Sequence, residues 1–127
     1  MLSSMIVKES EDGTRILVGQ TAKENDQLTQ TADPDYYWFH VADCPGAHVI
    51  VEATSMSRET KRDAATLAAH HSKASGMRMV PVDYCKVSHV HKQEHAHHGE
   101  VALDVDHVTT LTIFTNKEFT RLRRLLA

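Results

Sequence analysis

Cysteine is scarce in this 127-residue chain, and neither Cys44 nor Cys85 stands in a CxxC pair. A separation of 41 positions suggests neither a disulfide framework nor a thiolate zinc site, so both are read as reduced thiols. Long apolar runs are missing too. None approaches the roughly 20 residues that cross a bilayer, and the opening MLSSMIVKESEDG has no apolar signal core, so a cytoplasmic protein is expected. No glycine-rich phosphate loop, nucleophile elbow or paired-carboxylate motif is present, which argues against an enzyme. Five glycines and three prolines exclude a collagen-like chain, while 41% apolar residues exclude a disordered tail. Net positive charge is also absent: the balance of -3 at pH 7, taken globally, disfavours a nucleic-acid binder.

What is present is unevenly distributed. Residues 1–59 hold 4 basic and 10 acidic side chains, residues 60–99 hold 6 and 3, and residues 100–127 hold 4 of each. The middle third also carries seven of the ten histidines: His70, His71, His89, His91, His95, His97 and His98. An anionic partner is expected to meet that stretch. The length fits one domain over residues 1–127.

Local patterns predict an α+β fold with a central, mostly antiparallel sheet, a long alanine-rich helix, a short N-terminal helix and a C-terminal helix. Residues 5–9 and 15–19 flank the turn signal Asp12-Gly13. Thr21 with Glu24 forms a capping-box pattern opening a helix over 22–30. Strands follow over 36–41 and 48–52, the first apolar on both faces and so expected to be central. The small residues Ala64, Ala65 and Ala68 lie at helical spacing within a main helix over 58–75, capped by Gly76. Strands over 79–90, 100–103 and 107–114 come next. Asn116 is expected to cap a last helix with an apolar stripe of Phe119, Leu122, Leu125 and Leu126.

Three constellations could carry chemistry. The tract from His89 to His98 could gather imidazoles around a metal ion, but its spacing matches no established zinc signature and a polar, histidine-rich loop is the plainer reading. Neither a metal nor a cofactor is assigned. Cys44 between His40 and His48 could form a nucleophile and base, although nearness in sequence alone supports this. Finally, Lys61, Arg62, Lys73, Arg78, Lys86 and Lys92, interspersed with His48, His89 and His91, could grip a phosphodiester backbone.

Six stretches in order then resemble the NFACT-R (DUF814) family, the RNA-binding module of ribosome quality-control factors. They are VGQTAKENDQLT, YYWFHV, PGAHVIVE, HSKAS, VDYCKVSHV and GEVAL, spread over residues 16–103. The resemblance puts family-motif positions at Gly19, Asn25, Asp26, Trp38, His40, Gly46, His48, Ser72, Lys73, Asp83 and Gly99. It implies a stand-alone, non-catalytic module for tRNA or ribosomal RNA, associated with the large ribosomal subunit, with DNA a further polyanion in reach. Three departures reduce positive charge: Gly19-Gln20-Thr21 replaces Gly-Arg-Asn, Ser75 replaces an arginine, and a lysine-rich loop becomes the histidine tract with Lys92 its only lysine. Because histidine titrates near pH 6.5, that loop predicts tighter RNA binding at pH 6 than at pH 7.5. Two rival readings stay open, a histidine-rich metal-binding protein and a protein-interaction module docking on a ribosome-associated partner.

Overall fold

A computed structural model describes residues 5–127. The antiparallel hairpin of β1 (Ile6–Glu9) and β2 (Arg15–Val18) turns through Gly13, whose φ of 86° suits glycine. After α1 (Ala22–Thr31), β3 (Tyr37–Val41) and β4 (Val49–Val51) enter the sheet, and α2 spans Arg58–His70. The chain continues through β5 (Met79–Lys86), a short ribbon of β6 (Val90–His91) and β7 (Ala102–Leu103), β8 (Thr109–Phe114) and α3 (Phe119–Leu126). The main sheet has the order β1-β2-β4-β3-β5-β8, and every pairing is antiparallel. The expected α+β class is therefore observed.

Alternation along β3 divides the interior into two layers. Phe39 and Val41 face α2, where Ala64, Ala65, Leu67, Ala68 and Ala69 pack against Ile16, Val18, Val49, Val51, Val80 and Val82. Trp38 points the other way, into a smaller cluster with Leu17, Leu28, Ile50, Cys85 and Val87 beneath α1 and the ribbon. The alanines let α2 lie close on the sheet, and burial of residues such as Leu67 and Phe39 stabilises this layer by about 1.5–3 kcal/mol each. α3 is held partly by Leu125 and partly by charge. Arg121 and Arg124 reach the fully buried Asp63 at 2.7 and 2.6 Å, and Asp63 also accepts the Glu11 N–H.

Several elements end earlier than their sequence patterns suggest. The long helix expected over 58–75 stops at His70. Ser72 ends it, because its hydroxyl donates to the Ala69 carbonyl and accepts the Ala74 N–H, while the Lys73 and Ala47 N–H groups pair with the Pro45 and His71 carbonyls. Gly76 consequently caps nothing. The strand expected over 79–90 breaks at Lys86, where Val87 and Ser88 turn their N–H groups to the Tyr36 and Pro34 carbonyls. The strands expected over 100–103 and 107–114 are shorter, the second preceded by a 3-10 turn at Val105–His107. Asn116 lies in another such turn and does not cap α3, and Phe119 is 64% exposed, outside the stripe that buries Leu125.

Gly46 is also explained differently from a simple turn residue. Its backbone is not in the left-handed region, which Asp43 occupies instead. A Cβ at position 46 would stand 2.9 Å from the Ser72 Cβ and 3.0 Å from Val41, so close approach is what requires glycine. The open surroundings of Gly76 make the contrast testable. Gly46→Ala is expected to cost about 1–3 kcal/mol through overpacking. Gly76→Ala should change stability by no more than about 0.5 kcal/mol, as read from urea denaturation of both variants.

Candidate nucleic-acid interface

α1 is an unusually polar helix to find packed on a sheet, since its buried residues are Glu24, Asn25, Asp26, Leu28 and Thr29. Thr21 caps it by accepting the Glu24 N–H at 3.0 Å, and the Glu24 carboxylate reaches back one residue further than expected, to the Gln20 N–H at 2.9 Å. The polar face docks on His48, only 1% exposed. Trp38 donates its indole N–H to His48 Nδ1 at 3.2 Å, and Thr29 Oγ1 lies 2.7 Å from the same nitrogen. On the opposite side of the ring, Nε2 lies 2.9 Å from the Gly99 carbonyl.

Those partners fix the tautomer. An indole N–H can only donate and a carbonyl can only accept, so Nδ1 bears the lone pair and Nε2 the proton. A second proton at Nδ1 would confront the indole N–H, which can only donate. Burial, reinforced by neighbouring His40, accordingly pushes His48 down to about 4. Burial also lowers His40, which stacks on Trp38 with ring centroids 5.6 Å apart.

The same network clamps the loop over residues 92–101. Asn25 Oδ1 accepts the His48 main-chain N–H, and a Cβ on Gly19 would lie 2.2 Å from that oxygen. Asp26 accepts the Gly99 N–H at 2.8 Å, His98 at 3.0 Å and Lys92 at 3.1 Å. Although burial works against the charge, these bonds hold Asp26 below the usual carboxylate range. Lys92 Nζ also donates to the Glu100 carbonyl at 3.0 Å and to that of His97, so all three ammonium hydrogens are engaged.

The candidate phosphate contacts do not form one basic face. At one end of the sheet, Lys73 lines a cleft of about 520 Å³ bounded by Gln20 and Thr21 at the start of α1, by Pro45 and Gly46, and by His71 and Ser72. Its side chain is exposed with no ion-pair partner among the described residues, as is that of Arg78, just before β5 at the same end. At the opposite end, Lys61 sits over the Tyr84 ring and Lys86 over Tyr37, while Arg62 is taken up by Glu118 at 2.9 Å. His89, in the 3-10 turn before β6, and His91, on β6, both lie against Asp104. Those two imidazoles keep the Asp104 carboxyl below its ordinary range. Asp83 accepts the Thr110 hydroxyl and pairs in register with His40.

The cleft therefore combines the positive end of a helix, an unpaired lysine and a serine-capped turn, and its walls are built from Gly19, Asn25, Gly46, Ser72 and Lys73. Sequence reasoning gave those five as family-motif positions and counted His71 only among the histidines of the middle third; its Nε2 is buried without a hydrogen-bond partner among the described residues. The signal available was its place as the first letter of HSKAS. An exposed ammonium beside a helix N-terminus is an arrangement that can attract an anionic group.

Comparison with known proteins gives the family. Residues 3–104 match the profile of the NFACT protein RNA binding domain, and the chain belongs to that family. It is 41% identical over 105 residues to the Rqc2 homolog RqcH of Bacillus subtilis (strain 168), covering 82% of this chain and 18% of that protein. The corresponding protein of Streptococcus suis is 43% identical over 81 residues, covering 62% of this chain and 15% of the relative. The chain thus spans less than a fifth of the length of these relatives. Among solved structures, the C-terminal part of the fibronectin/fibrinogen-binding protein from Streptococcus suis superposes with a TM-score of 0.84 at 33% identity, covering 94% of this chain and 47% of that one.

The buried imidazole yields a pH prediction. With a folded value of about 4 against about 6.5 unfolded, the unfolded chain binds a proton between these limits that the native state refuses, so stability falls as pH falls through that window. Between pH 7 and 5 this one group should account for about 2 kcal/mol of lost stability. His48→Gln is expected to be less stable at pH 7 but to lose about 2 kcal/mol less over that interval, measured by urea unfolding at both pH values.

Proposed function

We propose that this domain binds RNA without catalysing a reaction, and that it does so as a single module through the cleft at the start of α1. The observation that carries the reading is Lys73: an exposed, unpaired ammonium beside a helix N-terminus, in a cleft walled by residues that identify the family. The helix end favours anions by about 0.3–1 kcal/mol. Glu24 already places a carboxylate there, so the lysine contributes the larger share of attraction for a backbone phosphate. Arg78 extends the positive potential at the same end. Likeness to the Rqc2 homologs supports tRNA or ribosomal RNA as the ligand, with a cytoplasmic role in ribosome-associated quality control and the large ribosomal subunit as its setting.

The charge distribution also sets the expected salt dependence. Two unpaired cations at one end, rather than a full basic face, predict roughly a sevenfold loss of affinity between 50 and 200 mM salt if each releases a counterion from a single strand. Fluorescence anisotropy with labelled tRNA should show this slope. Lys73→Ala is expected to weaken binding by about tenfold, the value of one charged hydrogen bond, and to halve the slope. Lys86→Ala, at the far end of the sheet, should change neither. Undiminished tRNA binding by Lys73→Ala would refute the cleft as the RNA site.

A further inference from the structure

The ribbon that leaves β5 carries a second constellation, away from the Lys73 cleft. His89 Nδ1 lies 3.1 Å from Asp104 Oδ2, and His91 Nε2 lies 3.0 Å from the same oxygen. His107 stacks on His89 with ring centroids 3.9 Å apart and planes 8° from parallel. One donor atom from each of His89, Asp104 and His107 falls within 4.8 Å of the other two. In sequence these residues form HxH and DxxH pairs separated by twelve residues, bracketing the clamped loop.

Main-chain bonds hold both halves in register. β6 pairs with β7 through Val90 opposite Leu103 and His91 opposite Ala102. The Asp104 N–H donates to the His89 carbonyl at 3.0 Å, and the His107 N–H donates to the Asp104 carbonyl at 2.9 Å. Upstream, Val87 and Ser88 are tied to the Tyr36 and Pro34 carbonyls. The donors thus converge because two short 3-10 turns, Val87–His89 and Val105–His107, are both fixed at the open end of one ribbon.

We propose that His89, Asp104 and His107 form a binding site for a borderline divalent cation of the zinc class, with His91 completing four-coordination. Two or three imidazole nitrogens with one carboxylate oxygen is a donor set that zinc accepts at about 2.0–2.2 Å. Tetrahedral ligands at that radius stand about 3.4 Å apart, so donor atoms now within 4.8 Å must draw together, and the stacked rings of His89 and His107 must rotate out of parallel for both in-plane lone pairs to meet one ion. On binding, each ligating nitrogen presents its lone pair and a neutral ring carries its proton on the other nitrogen. The carboxylate now shared by two imidazole N–H groups exchanges those bonds for the metal.

The competing account of any zinc uptake is adventitious chelation by the exposed loop histidines, and the experiment separates the two. Zinc is titrated calorimetrically into the RNA-free full chain, and cobalt(II) is added separately to read four-coordination from its visible absorption. The wild type is expected to take one zinc per chain and to melt at a higher temperature with zinc. His89→Ala and His107→Ala should each weaken uptake by at least about 100-fold, more than loss of a merely supporting group costs. Asp104→Asn, nearly isosteric, should weaken it clearly while Trp38 emission confirms the native fold. The double variant His95→Ala/His97→Ala should bind as the wild type does. Failure of the wild type to bind zinc overturns the proposal. So does any pattern in which the loop pair lowers affinity as much as His89→Ala or His107→Ala. RNA binding through Lys73 is measured separately and is untouched by either result.

Discussion

A neutral imidazole, buried between donors on one edge and an acceptor on the other, joins the separate parts of this domain. His48 precedes β4, receives Trp38 from β3 and Thr29 from α1, and donates to the loop at Gly99. α1 buries one large apolar side chain, Leu28, which stabilises it by about 1.5–3 kcal/mol and no more. Each made hydrogen bond adds about 1 kcal/mol, but each buried partner left unmade costs about 1–3 kcal/mol. The attachment of α1 therefore rests on the completeness of the polar network more than on apolar area. This explains why Asn25, Asp26 and Thr29 sit inside and not on the solvent face of the helix.

The two faces of the sheet consequently obey different rules. On the α2 face, alanines and branched aliphatics pack by shape, and the buried carboxylates Asp63 and Glu118 are each paired with arginines. On the α1 face, directional bonds specify where each piece of backbone lies. A cleft can persist on this second side because its walls are zipped by main-chain pairing between residues 45–47 and 71–73. Lys73 is thereby held at a fixed place with its ammonium uncommitted.

Much of this was legible in the chain itself. The Asp12-Gly13 turn, the Thr21 cap, the two-sided β3 and the alanine-rich α2 all follow from local rules, since propensity, periodicity and capping agree there. The two largest misjudged boundaries share one physical cause, in that long-range pairing ended elements that local pattern would have continued. Helix periodicity runs on past His70, but Ser72 and the 45–47 turn capture the chain. β-propensity runs on past Lys86, but Tyr36 and Pro34 take its N–H groups. At the site, counting lysines and arginines in the middle third located the charge in sequence and not in space. Lys61 and Lys86 ended on tyrosine rings, Arg62 on Glu118 and Lys92 on Asp26, which no local rule reveals.

The positions that carry the family resemblance are mostly members of the hydrogen-bond network, which separates what identifies the fold from what binds a ligand. Lys92 shows the principle. Its ammonium is held by Asp26 and by two main-chain carbonyls, and Gly99 is held through its own N–H, so the course of the loop is set by one aspartate and by backbone groups. Side chains at positions 93–97 make little of that structure. They can change from one charge type to another without disturbing His48 or α1. A loop so constrained keeps its course whatever its tip carries, and in this chain the tip carries the imidazoles of His95 and His97.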